Sequence, residues 1–137
     1  MSIFHTEITL RNAGDITLLQ RGYIKESEVR QTTVMAMVDT GAGTLIINEK
    51  IRAQLGLDIQ GLRRTTFANE AKEICKITEP VEIQWKERSS AVRATVIPDS
   101  SEVLLGAIPL EDMDLIVDPV RQILTGAHGD EVVCLVK

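Results

Sequence analysis

The amino-acid sequence predicts an all-β domain, a closed or partly closed barrel carrying one or two short helices. Two observations lead there. Apolar residues gather in short runs that alternate or stop at Gly, Pro or Asn, and stretches with helical spacing are few. Hydrophobic residues make up 44% of 137 positions, enough for one core and not for two, so one domain over residues 1–137 is expected.

In chain order, Ile16-Thr17-Leu18-Leu19 and Gly22-Tyr23-Ile24 are expected to form an opening strand with a break. Val29 to Val38 reads as the next strand, and its end Val34-Met35-Ala36-Met37-Val38 is apolar at every position, as in a strand buried on both faces. Leu45-Ile46-Ile47 follows. Asn48 to Leu57 is helix-like, with Gly56 suited to a helix C-terminus. Thr65-Thr66-Phe67 and Glu73-Ile74-Cys75-Lys76-Ile77 read as a hairpin around Ala68-Asn69-Glu70-Ala71-Lys72. Val81 to Trp85 and Ala91 to Ile97 alternate around a polar turn. Glu102-Val103-Leu104-Leu105-Gly106 is a strand ending in glycine, and Pro109 suits the first turn of a short helix after it. Leu115-Ile116-Val117-Asp118 stops at Pro119, Arg121 to Leu124 is another short strand, and Glu131 to Val136 is a terminal strand candidate.

Composition excludes several function classes. A formal charge of −5 argues against a general nucleic-acid binder, since neutralising phosphates takes clustered Lys and Arg. No apolar run is long enough to span a membrane. The start, Met1-Ser2-Ile3-Phe4-His5-Thr6-Glu7, lacks a basic-then-apolar leader pattern, so a cytoplasmic location is expected. Cys75 and Cys134 stand far apart without metal-ligand neighbours and read as buried free thiols. Neither a metal nor another cofactor is expected. His5 and His128 are isolated, and no Ser or Cys carries a nucleophile signature.

The informative stretch is Val38-Asp39-Thr40-Gly41-Ala42. A turn acid is the plain reading of Asp-Thr-Gly after a strand. Here, though, the acid emerges where a buried strand stops, Thr40 can hydrogen-bond around the turn, and Gly41 lets backbone approach closely. That arrangement holds one carboxylate rigidly at the floor of a cleft.

With the helix-like Asn48 to Leu57, the Leu104-Leu105-Gly106 pattern and the Leu115 to Pro119 strand, this loop resembles the retropepsin-like aspartic peptidases, especially their small single-domain bacterial and archaeal members. The resemblance covers about residues 15–125. It implies an acid-protease barrel, a protein or peptide substrate, and catalysis by Asp39 with Thr40 and Gly41 shaping the loop. Peptide hydrolysis by carboxylates takes two of them, one ionised to activate water and one protonated toward the carbonyl. The chain carries the motif once, and Asp99-Ser100-Ser101 lacks the glycine a second copy would need. A homodimer with one Asp39 from each subunit is therefore expected, and the resemblance implies that Thr40 braces the loop from below and links to its counterpart across the interface.

By the same resemblance the Asn69 hairpin is the flap that closes on an extended substrate. Ala42, Phe67, Ala68, Asn69, Leu105 and Gly106 are the expected substrate-binding residues, with Ile47 and Ile108 as further candidates. The flap departs from the retroviral pattern in having no glycine, so Asn69 is expected to supply the positive φ of its turn. Ala107-Ile108 also replaces a polar pair whose arginine braces the viral dimer. The terminal strand is read either as a dimer-pairing strand or as an ordinary sheet edge. Asp118 reads as a turn acid, Asp112 and Asp114 as a helix end or solvated loop, and Trp85 as core. A reading of another class stands beside the enzyme: a non-hydrolytic binding or dimerisation module on the same fold.

Overall fold

A computed structural model describes residues 3–67, 69–98 and 100–136. Strand β1 (His5–Asn12) leads into helix α1 (Ala13–Gln20), and β2 (Gln31–Val38) returns antiparallel to β1. After the loop that carries Asp39 come β3 (Leu45–Ile47), α2 (Glu49–Leu55), β4 (Ile59–Thr66), β5 (Lys72–Trp85) and β6 (Arg88–Val96). Then follow β7 (Val103–Leu105), α3 (Ala107–Asp112), and the antiparallel pair β8 (Leu115–Asp118) and β9 (Ile123–Gly126). Strands β1-β2-β7-β3-β6-β5 neighbour one another in that order, and β5 pairs back onto β1, closing a six-strand barrel. The expected all-β barrel is thus the fold, with three short α-helices among the described residues where one or two were expected.

The opening segment departs from expectation. Ile16 to Leu19 is helical, and the first strand lies upstream of it. Asn12 decides this, because its Oδ1 accepts the Asp15 N–H at 3.1 Å and caps the helix start. The buried Asn12 amide also donates to the Leu55 carbonyl at 2.9 Å, tying α1 to α2. Buried Asp15 then receives the Arg30 backbone N–H at 3.0 Å and two guanidinium N–H groups at 2.9 Å, fixing where β2 begins. The same guanidinium covers Gly56, where a Cβ would stand 1.8 Å from Arg30 Nη1 and where φ is 61°. A side chain there would push that guanidinium away from Asp15, and the positive φ favours glycine, in keeping with the C-terminal reading of α2. Asn48 caps the other end, accepting the Ile51 N–H at 2.9 Å.

Ile8, Leu10, Leu45, Ile47, Ile83 and Leu105 fill the barrel and are among its fully buried side chains. The long strand β5 serves two structures. Its Val81–Gln84 part pairs with β1 inside the barrel, and its Lys72–Thr78 part pairs with β4 in a hairpin that leaves the barrel. A register shift between Ile77 and Pro80, at an exposed proline, lies where the β1 pairing ends and the β4 pairing begins, with Ile77 and Lys76 still paired to β6. Among the described residues, strand β4 pairs with β5 alone and is exposed along most of its length.

The terminal segment is not a strand among the described residues; only a single bridge joins His128 and Glu131. Its Val133 N–H goes to the Asp114 carboxylate at 3.0 Å instead of to a sheet neighbour. Asp114, at φ 55°, also receives His128 Nδ1 at 2.7 Å, and Arg88 donates to the carbonyls of Met113, Asp114 and Gly129. Cys75 is buried as expected, whereas Cys134 on this segment is exposed; both are free thiols. Among the described residues, no helix is long and apolar enough to cross a membrane.

Candidate active site

Asp39 sits at the end of β2, between the two strands that flank it. The Val38 N–H donates to the Phe4 carbonyl on one side, and the Asp39 N–H to the Leu105 carbonyl on the other, each at 3.0 Å. The loop then turns tightly. Its Ala42 N–H reaches the Asp39 carbonyl at 3.1 Å, and the Gly41 N–H donates to Asp39 Oδ1 at 2.9 Å. A Cβ on Gly41 would stand 3.1 Å from that oxygen, so the glycine keeps room for the carboxylate. Asp39 and Ala42 are half-buried, while Thr40 and Gly41 are exposed.

The second motif holds this loop from below. Gly106 is buried, and a Cβ there would lie 2.3 Å from the Thr44 carbonyl oxygen and 2.6 Å from that of Ala42. At the start of α3 the Ala107 N–H donates to the Ala42 carbonyl at 2.8 Å and the Ile108 N–H to the Gly43 carbonyl at 3.0 Å. Loop carbonyls and helix amides satisfy one another, groups that a helix start otherwise leaves open. Ala107 and Ile108 therefore brace the loop through backbone amides, which needs no polar side chain.

The register decides which side chains share the carboxylate's face. Alternation along β2 puts Met37 on the side of Asp39 and Val38 in the core. Met37 pairs with Leu104 of β7, and Leu104 pairs with Ile46 of β3. All three are half-buried, an aliphatic wall beside the acid. Leu105 and Ile47, expected to face substrate, have 0% exposure and point into the barrel. The sequence reading missed Leu104 and Ile46; two-residue alternation back from Asp39, carried across the parallel β2–β7 pair, was the signal that finds them.

A family model described as "Aspartyl protease" matches residues 26–107, from the approach to β2 through the start of α3. The chain belongs to the aspartyl protease family. The match spans the Asp39 loop, the hairpin and the Gly106 brace of this aspartyl protease, and membership makes it a peptide hydrolase of the aspartic type. Among solved structures the protease is similar to a retropepsin-like aspartic protease from Rickettsia conorii, at 18% identity over 90% of this chain and 91% of that one, with a TM-score of 0.48. No curated protein matches it.

The protease's hairpin tip is built without glycine. The Phe67 N–H donates to the Ala71 carbonyl and the Glu70 N–H to the Phe67 carbonyl, each at 2.9 Å. Asn69 Oδ1 accepts the Ala71 N–H at 3.0 Å. The left-handed residue is Glu70, at φ 67°, and not Asn69, whose side chain caps the turn instead. Phe67 is half-buried, Asn69 is exposed, and Ala68 lies outside the described residues. Away from the loop, Asp118 caps the turn after β8 by accepting the Val120 and Arg121 N–H groups. Trp85 packs in the core, with its indole N–H donated to Thr6 Oγ1 at 2.9 Å. Concave spaces of about 590, 430 and 550 Å³ lie around Trp85, His5 and Cys134, and Asp39 lines none of them.

Proposed function

We propose that this aspartyl protease is a two-fold homodimeric endopeptidase in which Asp39 of each protomer supplies one carboxyl to a shared site. The observation that carries the reading is a lone Asp-Thr-Gly whose carboxylate is half-exposed at the barrel end. Among the described residues its hydrogen-bond partner is the Gly41 amide of its own loop. One carboxylate cannot both take a proton from water and give one to the carbonyl. Two at a common axis can, because their repulsion leaves one proton shared between them. The ionised carboxyl removes a proton as water oxygen bonds to the carbonyl carbon, and the protonated one hydrogen-bonds the carbonyl oxygen. Collapse of the tetrahedral species breaks the C–N bond as the amine nitrogen takes a proton from the dyad.

The aliphatic wall of Met37, Leu104 and Ile46 supports apolar residues flanking the cleaved bond, and in this reading Ala42, Gly106, Phe67 and Asn69 complete the substrate contacts. A second reading, a non-hydrolytic binding module, draws support from the hairpin tip, which is closed by three hydrogen bonds and has no glycine hinge. One experiment separates the two. Sizing of the protein is combined with digestion of casein between about pH 4 and 7, using wild type and Asp39→Asn. A dimer whose cleavage disappears in Asp39→Asn, with size and melting temperature kept, supports the peptidase. Cleavage retained by Asp39→Asn, or a monomer that cuts at full rate on dilution, refutes the shared dyad.

A further inference from the structure

We propose that the free edge of β4, with the adjoining face of its hairpin, docks an extended acidic segment of a partner protein. The segment adds to β4 as a further strand, and its binding does not depend on the chemistry of Asp39. Among the described residues, β4 pairs with β5 on one side and with no strand on the other. Near the tip the Phe67 N–H donates to the Ala71 carbonyl, so residue 67 turns its main-chain groups toward β5. Antiparallel pairs alternate between bonded and unbonded, so Thr65 and Arg63 turn inward as well, opposite Glu73 and Cys75. Leu62, Arg64 and Thr66 therefore point their N–H and C=O groups outward, and all three residues are exposed. An open edge of this kind is a template for one more strand.

Side chains fix the chemistry of the added strand. The register sets Leu62 opposite Lys76, Arg64 opposite Ile74 and Thr66 opposite Lys72, all on one face of the hairpin. Arg64, Lys72 and Lys76 are cations and no acid stands among them, although the chain's formal charge is −5. None of the three forms an ion pair among the described residues. Glu49 of α2 feels the charge of Lys76, but its two oxygens accept the Arg52 guanidinium at 2.8 and 2.9 Å. Glu73 lies on the opposite face with Arg63 and Cys75, and Asp58 and Glu79 stand at the base, in the field of Arg30. Between the cations Leu62 and Ile74 are 69% and 65% exposed. A second copy of this chain fits poorly, because full-length antiparallel pairing of β4 with itself crowds two Arg63-Arg64 pairs together. A lipid surface would leave the outward main-chain groups without strand partners. A segment with acidic and apolar side chains by turns at every second residue meets both Arg64 and Leu62.

The test titrates fluorescein-labelled peptides of about ten residues onto the full chain carrying Asp39→Asn, so that no cleavage by Asp39 alters them. Thr fills every second position, Glu and Leu alternate at the others, and companion peptides carry Gln or Lys in place of Glu. The Glu peptide is expected to bind roughly fivefold more tightly than the Gln peptide, the range an exposed ion pair commands, and the Lys peptide more weakly still. N-methylation of one alternating set of peptide residues, those whose N–H groups face β4, should abolish binding, and of the other set should leave it. Bound peptide should slow hydrogen exchange at the Leu62 and Arg64 amides and leave it unchanged at Arg63 and Thr65, already bonded to β5. Arg64→Glu with Lys72→Glu should turn the preference toward the Lys peptide. If that variant does not fold, Arg64→Gln with Lys72→Gln should bring the Glu and Gln peptides level. No binding of the Glu peptide, equal binding of Glu and Gln peptides, or binding that leaves exchange at Leu62 and Arg64 unchanged overturns the proposal. Phosphatidylserine vesicles bound through Arg64 and Lys72, with no peptide bound, would assign the face to a lipid surface and refute it too. The peptidase reading is decided separately, by casein cleavage.

Discussion

Asp39 hangs by its backbone N–H from the carbonyl of Leu105, 3.0 Å away, so the acid's position is set by a strand more than sixty residues further along the chain. The next residue of that strand end, Gly106, lies against the underside of the Asp39 loop.

Gly106→Ala should therefore damage the loop before the barrel. The added methyl meets the Thr44 and Ala42 carbonyl oxygens at 2.3 and 2.6 Å, and the Ala42 oxygen cannot move away without straining its bond from the Ala107 N–H. A loss of about 2 kcal/mol is expected, as for other overpacked sites. Peptide cleavage should fall further than that stability loss explains, assayed well below the variant's melting temperature. A melt and a cleavage rate both at wild-type level would mean that the loop is not held in this way.

Asp15 should set part of the acid sensitivity. The hydrogen-bonded Arg30 guanidinium holds its carboxyl below the usual carboxylate range, against the opposing effect of burial. A lowered folded-state value means stabilisation that is complete above the unfolded carboxylate range and is lost as pH falls through the folded one. Asp15→Asn should cost about 1–2 kcal/mol at pH 7, the scale of a hydrogen bond to a charged group. It should also flatten the fall in urea midpoint below about pH 4. An unchanged acid limb in Asp15→Asn would assign that limb to other carboxylates.

Leu104 and Leu105 should separate cleanly. Leu105→Ala empties part of the barrel core and should cost about 2–5 kcal/mol. Leu104 is half-buried on the acid's face, so Leu104→Ala should cost about 1 kcal/mol and change the KM for peptides with apolar side chains at the bond. Urea melts and kinetics on the two proteins check this. The same outcome for both would contradict the alternation.

What the sequence made legible was local chemistry. Asn48 and Gly56 mark the ends of α2 and Pro109 sits in the first turn of α3, each for reasons contained within a few residues. The strand before Asp39, read as buried on both faces, buries Ala36 and Val38 on one face and leaves Met35 exposed on the other. Where a distant partner decides, the reading failed. Ile16 to Leu19 looks like a strand until Asn12 caps it and Arg30 anchors Asp15. Glu131 to Val136 has strand composition, yet its Val133 amide is taken by the Asp114 carboxylate from outside any sheet. The choice between Leu104 and Leu105 depends on a parallel pairing with β2, which leaves no mark on either sequence alone.

The hairpin tip offers a graded test of how closure is controlled. Glu70 holds φ 67° without glycine's freedom, a conformation that costs an L residue roughly 1–2 kcal/mol. Asn69 offsets this by accepting the Ala71 N–H. Glu70→Gly should relieve the cost while widening the range of conformations open to the tip. Asn69→Ala should remove the cap and keep the cost. Because β4 pairs with β5 alone, both changes should leave the barrel's urea midpoint almost unmoved and act on the hairpin locally. Hydrogen exchange at the Ala71 amide is expected to quicken in Asn69→Ala and the peptide KM to rise with it. If exchange quickens and KM stays at the wild-type value, the tip does not meet the substrate.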